Sequence, residues 1–293
     1  MEIRNLKTFI HVAQTGSFSK TADQLDYAQS TISAQIHSLE EELDVTLFNR
    51  YGKTITLSSE GEQLLAYAYQ LVKLEAEASS LFHNPAAPKG VLKVGMLESI
   101  SASTYSTVIL QHLAAYPEVK LHVIVGTTLQ LMHLLEKGAL DIILTLDVPI
   151  NNPKFQQCLA KQVPILFFCH REHALAQLEQ PTLSAMMKER FLLTEKGCNY
   201  RQVFEEIVFA HAFELNDFLE IGYTQLILAG VEQNLGVSFL PAFNLTNLPP
   251  NLTIIEPIDC QLMLDLQLLI LDKAWLSPLK KNFIDLFEAI MEE

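Results

Sequence analysis

Thr31, Ala34, Gln35 and Ser38 recur at i, i+3, i+4 and i+7, so a helix through them would present one face of hydroxyls, an amide and a methyl. An exposed helix face is ordinarily covered in Lys and Glu. Small polar groups in their place let a helix approach base edges closely, and Gln can offer adenine a donor and an acceptor together. Gln29 and Ser33 stand on the same helix, and all six are read as candidate groups facing a DNA major groove. The bland alternative is a three-helix bundle with an unremarkable surface.

A second set of groups stands where predicted strands give way to predicted helices. "ESIS" follows the strand "LKVGM", "GTT" follows "VKLHVIV", and "TEKG" and "GYT" occupy equivalent places further on. In parallel α/β sheets ligands bind beyond the carboxyl ends of strands, where helix N-termini present unpaired amides. Ser99, Ile100, Ser101, Thr127, Thr128, Thr194 and Tyr223 are therefore candidates to line a cleft. Each hydroxyl is equally suited to capping its own helix, so the convergence of the set carries the hypothesis.

Catalytic chemistry has little to stand on. The sequence holds no G-x-S-x-G, HExxH, GxGxxG or P-loop pattern, and no catalytic residue, metal site or cofactor is expected. His170 and His173 in "CHREH" read as surface polar residues. Cys158, Cys169, Cys198 and Cys260 form no CxxC, so a structural role is expected for each; Cys198 is the only one near the candidate cleft.

Several elements must position these groups. Leu6, Phe9, Ile10 and Ala13 mark a first helix ending at Thr15-Gly16, Ser19 is placed to cap a second, and Ile32, Ile36, Leu39 and Leu43 form the apolar side of the third. "LFNRYGKTITL" reads as a hairpin turning at Tyr51-Gly52-Lys53, with Arg50 and Lys53 at its tip to touch phosphate. Leu64, Tyr67, Leu71, Leu74, Ala78 and Leu81 then alternate steps of three and four, the spacing of a coiled-coil seam. The seam fits a second subunit or the chain's own body. Pro85, Pro88 and Gly90 mark a hinge.

From Val91 strands alternate with helices as βαβαβ, with a helix expected over 99–116, and a similar succession begins again at "VPILFFC". The net charge of −14 disfavours nucleic acid on its face, yet residues 1–58 hold five basic and seven acidic groups, so most of the excess lies further along. The N-terminus has no secretory pattern, and no apolar run approaches the roughly 18 to 20 residues of a membrane span. A soluble cytoplasmic protein with no membrane partner is expected.

The run "FIHVAQTGSFSKTADQLDYAQSTISAQIHSLEEELDVTLFNRYGKTITLSSEGEQLL" resembles the winged helix-turn-helix of the LysR-type transcriptional regulators, and "LLEKGALDIILT", "EKGCNYR" and "VEQNLGVSFLP" resemble their later segments. The family has a basic residue where Ala34 stands and often Lys where His37 stands. The resemblance implies a multidomain chain: an N-terminal all-α winged helix-turn-helix (1–58), a linker and dimerisation helix with its hinge (59–89), and a C-terminal α/β two-lobed domain like the periplasmic solute-binding proteins (90–293). Lobe I would comprise about 90–162 and 267–293, and lobe II about 163–266. It further implies a homodimer or tetramer on a double-stranded DNA operator, with RNA polymerase as a further partner. Binding or bending of the operator would be controlled by a small-molecule effector, and a small carboxylate is the expectation. The other reading is a cytoplasmic small-molecule-binding protein whose N-terminal unit contacts proteins.

Overall fold

The computed structural model describes residues 1–51, 54–80, 89–215, 218–272 and 276–292, in two compact units. The first opens with helices α1 (Ile3–Thr15), α2 (Phe18–Leu25) and α3 (Gln29–Leu43), followed by strands β1 (Phe48–Tyr51) and β2 (Thr54–Leu57) and the long helix α4 (Ser59–Ser80). Gly16 stops α1 in the left-handed region at φ 60°, where its N–H reaches the Val12 carbonyl. Ser17 rather than Ser19 caps α2, its hydroxyl accepting from the Lys20 amide; Ser19 lies inside the helix and donates to Gln29 Oε1 at 3.1 Å. Asp26 and Asp44 end α2 and α3, each with positive φ.

The core of this unit is built from Leu6, Phe9, Val12, Ile32, Ile36, Leu39, Leu47 and Phe48, with the Phe48 ring 5.4 Å from Phe9 and 5.9 Å from Phe18. Leu43, expected on the buried side of α3, is exposed because it lies in the last turn, beyond the reach of that core. β1 and β2 pair antiparallel from Phe48↔Leu57 to Tyr51↔Thr54. Their connecting residues Gly52 and Lys53, and the hinge prolines Pro85 and Pro88, lie outside the described residues. On α4 the expected seam divides. Leu64 and Leu71 pack on the unit's own core, whereas Tyr67 and Leu74 are 65% and 61% exposed and Ala78 is exposed; Leu81 is not among the described residues.

After α4 the chain runs through β3 (Gly90–Met96), α5 (Glu98–Ser101), α6 (Thr107–Ala115), β4 (Val119–Val125), α7 (Thr128–Glu136), β5 (Ile142–Asp147), β6 (Phe155–His170), α8 (Leu183–Met186) and β7 (Phe191–Leu193). It continues through α9 (Asn199–Ala210), β8 (Phe218–Glu220), α10 (Thr224–Glu232), β9 (Ser238–Pro241), β10 (Leu252–Ile255), β11 (Leu262–Leu271) and α11 (Pro278–Glu292). The expected single helix over 99–116 is broken. The Ser101 and Ser103 hydroxyls bond back to the Glu98 and Ile100 carbonyls and end α5, before a 3-10 turn at Thr104–Ser106 leads into α6.

Seven strands form one sheet in the order β10-β6-β11-β5-β3-β4, with β9 also paired to β6. β3 runs parallel to β4 and β5, as the βαβαβ pattern requires, but β11 and β6 are antiparallel, so the sheet is mixed. β7 and β8 form a separate parallel pair. β6 extends eight residues upstream of the strand expected at Val163, and none of those eight is buried, so no apolar run marks them.

Two outcomes test this packing. Gly61 opens α4 with its amide on the Ser58 hydroxyl at 2.9 Å, and a Cβ there would lie 2.2 Å from the Leu47 carbonyl oxygen. Gly61→Ala should therefore destabilise by about 1 to 3 kcal/mol in urea unfolding, outweighing the ~1 kcal/mol that alanine returns in an open helix. His112 is buried in α6 with Tyr116 and Phe283 at 5.0 and 5.5 Å. Burial holds its imidazole below the ordinary 6.5, partly offset by the Leu279 backbone. The unfolded chain takes up that proton first, so the stability is full above about pH 6.5 and is lost as pH falls below it. His112→Phe should flatten the fall in unfolding free energy between about pH 6.5 and 5.

Candidate functional site: the cleft and the third helix

A cavity of about 230 Å³ opens where β3, β4, β7 and β8 end. Leu97 to Ser99, Val125 to Thr128 and Gln130 line one wall, and Thr194, Glu195, Gly197 to Tyr200, Gly222 and Tyr223 the other. Five of the seven residues expected at an effector site, Ser99, Thr127, Thr128, Thr194 and Tyr223, are thus brought together. Ile100 is not, because it points into the hydrophobic core, nor is Ser101, whose hydroxyl is turned back to the Glu98 carbonyl at 2.8 Å.

Hydrogen bonds fix the walls. Asn199 Nδ2 donates to Thr128 Oγ1 and to the Leu146 carbonyl, both at 2.8 Å, and Thr128 meets the Thr145 hydroxyl at 2.7 Å. Across the opening the Glu98 carboxylate caps α10, accepting from the Thr224 amide at 3.1 Å and the Thr224 hydroxyl at 2.6 Å. α7 closes its own N-terminus, with Thr127 N–H on Gln130 Oε1 at 3.0 Å. Glu98, Glu195, Gln130 and Asn199 were not singled out from sequence. Glu98 and Glu195 stand inside the strand-end tetrapeptides "ESIS" and "TEKG", so attention to carboxylates as well as hydroxyls would have found them.

On α3 the exposed residues are Gln29, Ser30, Ala34, His37, Ser38, Glu41, Glu42 and Leu43, with Thr31, Ser33 and Glu40 half-buried. Gln35 departs from the expected face. It is 8% exposed, and its Oε1 accepts from the Thr8 hydroxyl of α1 at 2.6 Å. At 100° per residue Gln35 falls 60° from Ile32 and 40° from Leu39, inside the buried arc, so it ties α3 to α1 and is not free to read a base. His37 pairs with Glu41 at 3.2 Å. For Arg50 only the backbone is described, and Lys53 lies outside the described residues.

Residues 3–62 match the profile of the bacterial regulatory helix-turn-helix protein, lysR family, and residues 85–291 match that of the LysR substrate binding domain. This chain belongs to the LysR family of transcriptional regulators. Among its relatives, the HTH-type transcriptional regulator YwqM of Bacillus subtilis is 33% identical over 82% of each chain, and YofA of the same organism is 29% identical over 82% of this chain and 81% of its own. In fold it is similar to full-length OxyR from Pseudomonas aeruginosa (TM-score 0.77, 21% identity, 99% of this chain and 94% of that one). CbnR complexed with its target DNA also shares the fold (TM-score 0.66, 17% identity, 99% of both chains). The chain is thus a LysR-type DNA-binding transcriptional regulator with an effector-binding domain, and family membership decides against the reading in which the N-terminal unit contacts proteins instead.

Behind the cleft of this LysR-type regulator, buried Arg201 bonds the Thr194 carbonyl and pairs with Glu205 at 2.7 Å and Glu220 at 2.8 Å. Burial pushes the Cys198 thiol up, outweighing the opposing effect of its polar neighbours Thr194, Arg201 and Tyr200, so it stays protonated at neutral pH and lacks the thiolate on which reactivity depends. All four cysteines are free. Thr224→Val should lower stability by about 1.5 kcal/mol in denaturant unfolding, the low end for a hydrogen bond to a charged group because Glu98 is half-exposed. Thr224→Ser should lose much less.

Proposed function

We propose that this LysR-type regulator is a cytoplasmic homodimer, or a dimer of dimers, which binds a two-half-site operator through the exposed face of α3 and responds to a small polar effector in the cleft, with RNA polymerase as its downstream partner. The single observation that carries the effector reading is the convergence of residues following β3, β4, β7 and β8 on one cavity, in a domain whose profile is named for substrate binding. Ser99, Thr127, Thr128, Thr194 and Tyr223 are the proposed effector contacts, joined by Glu98, Glu195, Gln130 and Asn199.

For the operator, Gln29, Thr31, Ser33, Ala34 and Ser38 are the proposed groove residues, with Arg50 and Lys53 on phosphate. Pairing of subunits is supported by Tyr67 and Leu74, seven residues apart on α4 and both largely exposed, which a second copy would cover. The outermost strand β4 exposes Val123, Ile124 and Val125, and α6 exposes Leu110, a further apolar surface for self-association.

Two substitutions on one helix separate reading from packing. Ala34→Glu puts a carboxylate on the exposed face and should weaken binding to the chain's own upstream DNA at least tenfold in a gel shift, about 1.4 kcal/mol, with the melting temperature unchanged. Gln35→Ala should do the opposite, lowering stability by about 1 to 2 kcal/mol through the lost bond to Thr8, with operator affinity intact once folded. Equal operator affinity in Ala34→Glu and wild type would remove α3 from the interface.

A further inference from the structure

The cleft's charge and its spoken-for amides indicate what kind of molecule it takes, given the reading above that it is the effector site. Two ionisable acids line it, Glu98 and Glu195, and among the described lining residues there is no Lys, Arg or His. The nearest guanidinium in the chemistry of the wall, Arg201, lies behind Thr194 between two carboxylates of its own, so it has no positive charge to spare.

An anion would draw on amides at helix N-termini, and one at each of two helix starts is already engaged: the Thr224 amide at α10 is taken by Glu98 and the Thr127 amide at α7 by the Gln130 side chain. The cleft also offers acceptors and a ring. The Glu195 carboxylate has no hydrogen-bond or ion-pair partner among the described residues. It lies against Gly222, its Oε2 3.6 Å from where a Cβ would stand. The next residue, Tyr223, is 68% exposed and presents an aromatic ring to the cleft. The Thr194 hydroxyl, 6% exposed, makes no well-formed hydrogen bond of its own, with the Cys198 thiol and Tyr200 phenol beside it.

We infer that the effector is a small organic cation, a primary amine or a related nitrogen base, whose charge is met by Glu195 and the Tyr223 ring, and not the carboxylate expected from sequence. Carboxylate and aromatic face together are a cation's complement, while an anion placed here would meet two like charges with no Lys, Arg or His among the described lining residues to offset them.

The full-length protein is tested by thermal shift and isothermal titration with benzylamine, n-butylamine and putrescine, each set against a carboxylate of similar skeleton: benzoate, butyrate and succinate. At least one amine should raise the melting temperature and titrate, while its paired carboxylate does neither at the same concentration. Glu195→Gln should weaken that amine at least tenfold, about 1.4 kcal/mol, with its unliganded melting temperature close to wild type. Thr127→Trp, which fills the cleft, should abolish binding. A carboxylate that binds wild type but not Thr127→Trp keeps the site and overturns the ligand class. An amine that binds both alike lies outside the cleft and overturns the site. Stabilisation by none of the amines, or an amine indifferent to Glu195→Gln, overturns the inference as stated.

Discussion

The effector domain depends on the antiparallel pairing of β6 with β11, two long strands in register from Leu262↔Ile165 to Leu271↔Phe155. Their one irregularity falls between Leu268 and Leu269. One end of β11 continues into β5 and so into the parallel group with β3 and β4; the far end of β6 carries β9 and β10. Because both strands are shared, the two halves are held by a continuous hydrogen-bonded ladder. The cleft walls can then be left to short loops at strand ends, which carry polar groups that a sheet interior could not satisfy.

That division explains the chemistry of the walls. Two helices that start at the cleft each have one amide satisfied from within, by Glu98 on α10 and by Gln130 on α7. Asn199 bonds Thr128 and the Leu146 carbonyl, so a side chain following β7 secures residues following β4 and at the end of β5. Groups that serve as caps are unavailable to a ligand. On the proposed reading, the preference of the site would be set by the lining groups that do not cap, Glu195, Thr194 and Tyr223 among them. Buried Arg201, balanced by Glu205 and Glu220 and stacked 5.6 Å from the Phe218 ring, supports the backbone at Thr194 and contributes no net attraction for an anion.

The N-terminal unit follows the same economy on a smaller scale. α3 has to bury one side against α1 and α2, and the Thr8–Gln35 bond satisfies a polar pair inside that contact. What remains for solvent is short and uncharged at Gln29, Ser30, Ala34 and Ser38, and acidic toward the end of the helix, where His37 pairs with Glu41 and Glu42 is exposed. A helix of this kind carries little electrostatic attraction for phosphate of its own, so sequence reading would rest on close approach to the bases more than on charge.

By itself the sequence determined the order of domains and most of the elements, because these follow from local signals: apolar spacing of three and four in α1, α3 and α4, the Gly16 stop, and alternating strands and helices from Val91. It also located the cavity to within three or four residues at each strand end, since strand-to-helix transitions are local events. It did not determine which member of each stretch faces that cavity. Ile100 turned to the core and Ser101 to its own helix, while Glu98 crossed the opening to Thr224, a residue 126 positions away. Nor could spacing alone tell that Gln35 is inside and Leu43 outside, because a helix has two borders to its buried arc and only the neighbouring helix decides where they fall. Chain-distant contacts decided the rest: the length of β6, whose largely exposed first half is held by its pairing with β11, and the engagement of the Thr224 amide by Glu98. Hydrophobic periodicity is written along the chain, whereas the pairing of a polar group with its partner exists only once the chain has closed on itself.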